Sequence, residues 1–136
     1  MKNVGLGRIG YLKSPMKISD IIEKTKQILN MKTFRLALGN GKTLDDSVSV
    51  LGVGAGKGSD LLNELNVDFL ITGEILHHAI IKEVHRGVSL IVTDHSNTER
   101  CYLAAFKQRF TKLLTMHNES MEIILSEADR DPLQYI

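Results

Sequence analysis

The chain has 136 residues, 43% of them hydrophobic, enough to pack the core of one domain. Its 17 Lys and Arg balance 16 Asp and Glu for a net charge of +1, so no basic excess marks a nucleic-acid groove. No apolar run approaches the ~20 residues of a membrane span, and Met1-Lys2-Asn3-Val4-Gly5 lacks an apolar signal core. The single cysteine, Cys101, excludes an internal disulfide and fits a reducing, cytoplasmic setting. It is expected as a small core residue rather than a nucleophile.

In chain order, Val4 to Leu12 reads as a glycine-containing strand closed by Ser14-Pro15. Ser19 or Asp20 is placed to cap a helix whose apolar positions are Ile21, Ile22, Ile28 and Leu29. Phe34 to Leu38 is a short strand ended by the turn Gly39-Asn40-Gly41. Ser47 to Val53 is a strand leading into the glycine loop 54–60 and a helix Leu61 to Leu65. Val67 to Thr72 is a strand, followed by a helix from Glu74 to Arg86 that Gly87 should end in a left-handed cap. Val88 to Thr93 is the next strand. A long helix from Asn97 to Met116 follows, with Leu103, Phe106, Phe110, Leu113 and Leu114 as its apolar stripe. Met121 to Leu125 is expected as a last strand. This alternation predicts an α/β layered domain with a mixed, largely parallel sheet flanked by helices.

Four constellations could carry chemistry. Gly5-Leu6-Gly7-Arg8-Ile9-Gly10 has the spacing of a dinucleotide fingerprint. No strand precedes it and Tyr11-Leu12-Lys13-Ser14-Pro15 does not open a helix, so the nucleotide reading fails on context. In the second glycine loop, Gly56, Lys57 and Gly58 stand between strand and helix, where exposed amides and a lysine could meet an anion. A tight strand-to-helix turn explains that loop equally well, and it lacks P-loop spacing.

Glu74, His77 and His78 form the third group, three and four residues apart on the expected helix. They suit proton transfer or substrate contact in a cleft, and also a plain polar helix edge. The fourth is Leu90-Ile91-Val92-Thr93-Asp94-His95-Ser96-Asn97-Thr98-Glu99-Arg100. Here a strand end delivers His95 and Glu99 at the start of a helix, four residues apart. An imidazole and a carboxylate so spaced suit zinc, manganese or iron, and a strand end is where α/β folds bind ligands. The same pair taken alone is also an ordinary solvated helix face. His85 and His117 receive no role, and Arg130 between Asp129 and Asp131 reads as a local ion-pair cluster.

Taken in order, Gly54-Ala55-Gly56-Lys57-Gly58-Ser59, Ile71-Thr72-Gly73-Glu74 with His77-His78, Asp94-His95-Ser96-Asn97-Thr98-Glu99-Arg100 and Ser126-Glu127-Ala128-Asp129-Arg130-Asp131-Pro132-Leu133 resemble the carboxyl-terminal half of the Nif-three-like family. That family includes the bacterial YbgI-type proteins described as GTP cyclohydrolase type-two-like, and the last two motifs look closest to eukaryotic members. The resemblance implies an α/β fold, a toroidal hexamer and a two-metal site with His95 and Glu99 among its ligands. It further implies that a His-His pair and an aspartate from the amino-terminal half complete the site. That half is expected to be absent here, and two protein ligands do not close a transition-metal site. The expectation is therefore a single domain, residues 1–136, carrying half a site and not retaining a divalent metal by itself. The intact protein would be a metal-dependent, cyclohydrolase-like hydrolase, or alternatively an interaction or regulatory module with a structural metal. A protein partner and self-association through apolar surface are expected; specific nucleic-acid or membrane binding is not.

Overall fold

A computed structural model of the protein describes residues 5–58 and 65–133. Five strands form one sheet in the order β1-β3-β4-β5-β2. They are β1 (Gly7–Lys17), β2 (Arg35–Ala37), β3 (Ser47–Gly54), β4 (Phe69–Thr72) and β5 (Ser89–Val92). The helices are α1 (Ile18–Leu29), α2 (His77–His85), α3 (His95–Arg100) and α4 (Leu103–Met116). β3, β4 and β5 run parallel, while β1 and β2 join antiparallel at the two edges. The sheet is thus mixed with a parallel centre, as the helix–strand alternation predicts.

The central strands read as short apolar runs because both of their faces are covered. Alternate side chains divide between two cores. Phe69 and Ile91 pack with Ile18, Ile21 and Val48 on the α1 side. Leu70, Leu90 and Val92 pack with Val67 and Val88, supported by Ile75 and Ile80, on the α2 side.

Several elements depart from their expected bounds. β1 runs on through Ser14-Pro15 to Lys17, because an irregularity in register between Tyr11 and Met16 accommodates the proline on an edge strand. α1 starts at Ile18, and neither Ser19 nor Asp20 caps it. Its first amides donate instead to main-chain carbonyls, Ile18 to Asp46 at 2.9 Å and Ser19 to Leu44 at 3.0 Å. Ile21 is buried, but Ile28 faces solvent. The expected helix 61–65 lies outside the described residues except for Leu65.

α2 begins three residues late, at His77, and Gly87 ends it as expected with φ of 80°. The Val88 amide donates to the Glu83 carbonyl and the Gly87 amide to the Val84 carbonyl, both at 3.0 Å. The long last helix is broken in two at Cys101-Tyr102, where the Tyr102 amide reaches back only three residues to Glu99, at 3.1 Å. Cys101 is exposed there rather than in the core. Residues 121–125 form no strand. They have no ladder partner, and the chain farther along is tied to α3 by Asp129 and Asp131.

Among the described residues Glu83 is the one buried acidic residue. Arg86 Nη1 donates to both of its carboxylate oxygens, at 3.1 and 2.9 Å, while Arg86 Nη2 donates to the Leu65 carbonyl at 3.1 Å. Removing one member of a buried pair strands the other charge. We therefore expect Arg86→Ala to cost about 3 kcal/mol of stability. The check is the urea unfolding midpoint at unchanged m-value, with Glu83→Gln costing less because the charge it strands, on Arg86, is a third exposed and hydrated while the one stranded by Arg86→Ala is buried.

Candidate functional site

Three loops meet at the carboxyl ends of β3, β4 and β5, where ligands sit in open α/β sheets. The first is the Gly54–Gly58 loop, the second Gly73-Glu74, and the third the turn Thr93-Asp94 that opens α3. Their approach is set by missing side chains. A Cβ on Gly73 would lie 2.8 Å from the Gly56 carbonyl, 2.9 Å from the Asp94 carbonyl and 3.0 Å from His95 Cα. The Glu74 amide donates to the Gly56 carbonyl at 2.9 Å. The Gly56 amide donates to Thr98 Oγ1 at 2.8 Å, and that hydroxyl donates to the His95 carbonyl at 2.7 Å.

Asp94 makes the sharp bend out of β5. Its backbone lies at φ 67° and ψ 156°, a conformation used almost only by glycine and costing about 1–3 kcal/mol. Arg35 Nη2 on edge strand β2 holds its carboxylate at 3.2 Å, and Asn97 Nδ2 donates to the Thr93 carbonyl at 2.8 Å. The bend makes His95 the first residue of α3, two residues earlier than the expected start at Asn97.

His95 and Glu99 then share one face of α3, with Nε2 and Oε1 3.3 Å apart. The opposite ring nitrogen, Nδ1, lies 3.3 Å from Glu74 Oε1. Glu74 chiefly, and then Glu99, hold the imidazole pKa above its ordinary value against some desolvation. A Cβ on Gly56 would sit 2.7 Å from His95 Nε2 and 3.0 Å from Glu99 Oε1, so glycine keeps the space before this donor pair open. Its φ of 56° independently favours glycine.

The two other sequence candidates fare differently. Because α2 starts at His77, Glu74 precedes the helix, and the helical spacing that would have grouped it with His77 and His78 does not apply. Both histidines are exposed at the start of α2. In the 54–58 loop the Gly56 amide is taken by Thr98 rather than turned outward. Glu74, Gly56, His95 and Glu99 come together; His77 and His78 make no ion pair with them among the described residues.

Sequence reasoning missed the strap behind α3. Arg100 donates through Nε and Nη2 to the two carboxylate oxygens of Asp129, each at 2.8 Å, and its Nη1 lies 3.7 Å from Asp131. The Ser96 hydroxyl bonds the Asp131 carboxylate, which also accepts the Leu133 amide at 2.9 Å. Asp129 and Asp131 thus pair with a helix 29 or more residues upstream instead of with Arg130 between them. The available signal was the i,i+2 spacing of the two aspartates, which puts them on one side of an extended segment.

The profile described as Duf34/NIF3 (NGG1p interacting factor 3) matches residues 1–132. The chain belongs to that family. It is 41% identical over 133 residues to NIF3-like protein 1 of Bos taurus, covering 97% of this chain and 34% of the relative. It is 38% identical over 135 residues to the Homo sapiens protein of the same name, covering 98% and 35%. NGG1-interacting factor 3 of Saccharomyces cerevisiae is 31% identical over 134 residues, covering 96% and 45%. The chain therefore spans between a third and a half of the length of these relatives. Among solved structures, the Bacillus cereus protein related to NIF3 superposes with a TM-score of 0.82 at 25% identity, over 97% of this chain and 36% of that one. The protein ybgI, described as of unknown function, gives a TM-score of 0.65 at 21% identity, over 79% of this chain and 43% of that one, a likeness of fold alone.

The strap carries a pH dependence in this NIF3-family chain. Arg100 lowers the Asp129 pKa, and the Ser96 hydroxyl, then the Leu133 amide, lower that of Asp131. A carboxylate with a depressed folded pKa contributes stability above its unfolded value, about 3.9, and loses it as pH falls through the folded value. We expect strap docking to be constant from pH 7 to about 5 and to weaken below about 4. The Arg100 Nε–H signal in proton–nitrogen spectra reports it, and Arg100→Ala should remove this acid-sensitive component.

Proposed function

We propose that His95 and Glu99 are ligands of a divalent transition metal and form this chain's share of a two-metal site. The observation that supports this is the open space before His95 Nε2 and Glu99 Oε1, which a Cβ on Gly56 would fill. An imidazole nitrogen and a carboxylate oxygen together suit zinc, manganese or iron. Two donors do not close a site, and no group of three or more convergent ligands exists among the described residues. The remaining donors would come from the part of the intact family member that this chain does not span. When bound, such a metal pair would polarise an electrophile and supply hydroxide near neutral pH.

The reaction class we assign to the intact protein is hydrolysis of the cyclohydrolase kind, in a reducing cytoplasm. This chain's own contribution is to hold His95 and Glu99 on a rigid strand-to-helix junction. His77 and His78, exposed beside Glu74 at the start of α2, are candidates for substrate contact or proton transfer. Lys57 and Gly58 would offer an anion contact on the same rim.

The expected result for the chain by itself is weak zinc binding, lost in His95→Ala and in Glu99→Ala, as read by calorimetric titration. One zinc per chain surviving dialysis against chelator would overturn the half-site reading. In the intact metal-loaded protein, Glu99→Ala should abolish turnover.

A second reading, an interaction module with a structural metal, rests on a separate observation. α4 has no buried residue, and Phe106 stacks on Phe110 at 5.7 Å beside Tyr102 on an exposed face with Leu103 and Leu113. Apolar surface of this kind favours association. The chain is expected to self-associate at micromolar concentration in sedimentation runs, and Phe106→Glu should shift it toward monomer. A clean monomer throughout would remove this reading.

A further inference from the structure

We propose that Glu74 is the positioning residue for His95. It would accept the Nδ1 proton and so turn the Nε2 lone pair toward the cation that His95 and Glu99 are read to share. The proposal rests on that metal reading but adds a residue with a different task, since Glu74 touches the far side of the ring.

The geometry carries it. Glu74 Oε1 is 3.3 Å from Nδ1, and Glu99 Oε1 is 3.3 Å from Nε2, so the two carboxylates grip opposite ring nitrogens. They are not interchangeable. Glu99 stands four residues along the same helix and shares the face on which Gly56 leaves space. Glu74 arrives from another loop, on the side of the ring away from that space. A neutral imidazole carries one proton, and a ligating nitrogen must be the bare one. With Nε2 turned to a cation, the proton resides on Nδ1, and Glu74 is the acceptor within reach. A carboxylate behind a ligating histidine fixes both tautomer and ring orientation, and losing it typically costs 10–100-fold in metal affinity.

Glu74 is also held for such a task. Its amide is bound to the Gly56 carbonyl at 2.9 Å, its carbonyl accepts Thr72 Oγ1 at 3.3 Å, and Gly73 before it packs against the Asp94 and Gly56 main chain. These are backbone bonds, so changing the Glu74 side chain leaves them intact, and the side chain itself is half exposed. A substitution here therefore tests ring positioning without unfolding the loop.

The experiment uses this chain, free of metal, at a pH where His95 is neutral. Long-range proton–nitrogen correlations identify the tautomer, with His95 assigned by its loss in His95→Gln. Glu99→Ala removes the Nε2-side acceptor and should leave His95 in the Nδ1–H form. Glu74→Ala should move it to the Nε2–H form. Glu74→Gln, whose side-chain oxygen can still accept, should keep more of the Nδ1–H form than alanine does. Zinc titration should then show Glu74→Ala weakened about 10–100-fold relative to the wild type, with Glu74→Gln closer to it. The same tautomer in Glu74→Ala and Glu99→Ala would overturn the proposal, because a merely structural carboxylate would not reverse it. Failure of the metal reading shows separately, as zinc binding that is unchanged in His95→Ala whatever the tautomers do.

Discussion

The site depends on backbone meeting backbone at Gly73. Its hydrogen in place of a side chain lets the β4 loop lie directly against Gly56 of the β3 loop and against Asp94 and His95 of the β5 turn. Three parallel strands are thereby joined at one end by main-chain contact rather than by flexible side chains. Every polar group at the centre takes its position from that contact. Glu74 follows Gly73, His95 follows Asp94, and Thr98 fastens the Gly56 amide to the helix between them. Side chains placed by rigid elements are held to within fractions of an ångström, which proximity chemistry requires.

The junction stores strain and the fold offsets it. Asp94 occupies a backbone conformation that its Cβ disfavours, at the residue before His95. The offset comes from both directions along the chain. Arg35 clasps the Asp94 carboxylate from the sheet edge, and Asp129 and Asp131 grip α3 from its far side through Arg100 and Ser96. The exposed ion pairs contribute modestly one by one. Acting on a six-residue helix with no buried residue, however, they supply much of what keeps it in place.

Much of the fold was legible because its centre obeys simple rules. Phe69–Thr72 and Ser89–Val92 each hold three consecutive apolar residues and one hydroxyl residue, bounded by Gly73 and Gly87-Val88, and they became the buried parallel pair. Gly87 ended α2 because a left-handed residue must follow a helix that closes in this way. The ends were less legible. Leu76, not Glu74, precedes the first turn of α2, since the Glu74 amide is already committed to Gly56 across the sheet, a bond between residues 18 apart in sequence. The same long-range logic hid the partners of Asp129 and Asp131, where the adjacent Arg130 was the obvious local choice. His95 and Glu99 could be seen as a pair from their spacing. That Glu74 stands on the other side of the imidazole could not, because only the sheet's topology brings the β4 loop there. The apolar run in Met121–Leu125 lacked the one thing a strand needs, a neighbour among the described residues.

The break at Cys101-Tyr102 divides the molecule into two tiers of cohesion. β4 and β5 are enclosed on both faces, so their amides open only when the whole domain opens. α4 follows the break as 14 helical residues with none buried, about the length at which an isolated helix is marginal in water. The Tyr102, Phe106, Phe110 ladder and the Arg109–Tyr102 hydrogen bond support it, and with no α4 side chain buried among the described residues it frays on a free-energy scale well below that of the sheet. Whatever covers α4 in an assembly would lengthen the helix's lifetime without touching the His95 junction, whose anchors all lie on the sheet side of the break or in the strap. The stability of α4 and the geometry of the His95 junction can therefore change independently.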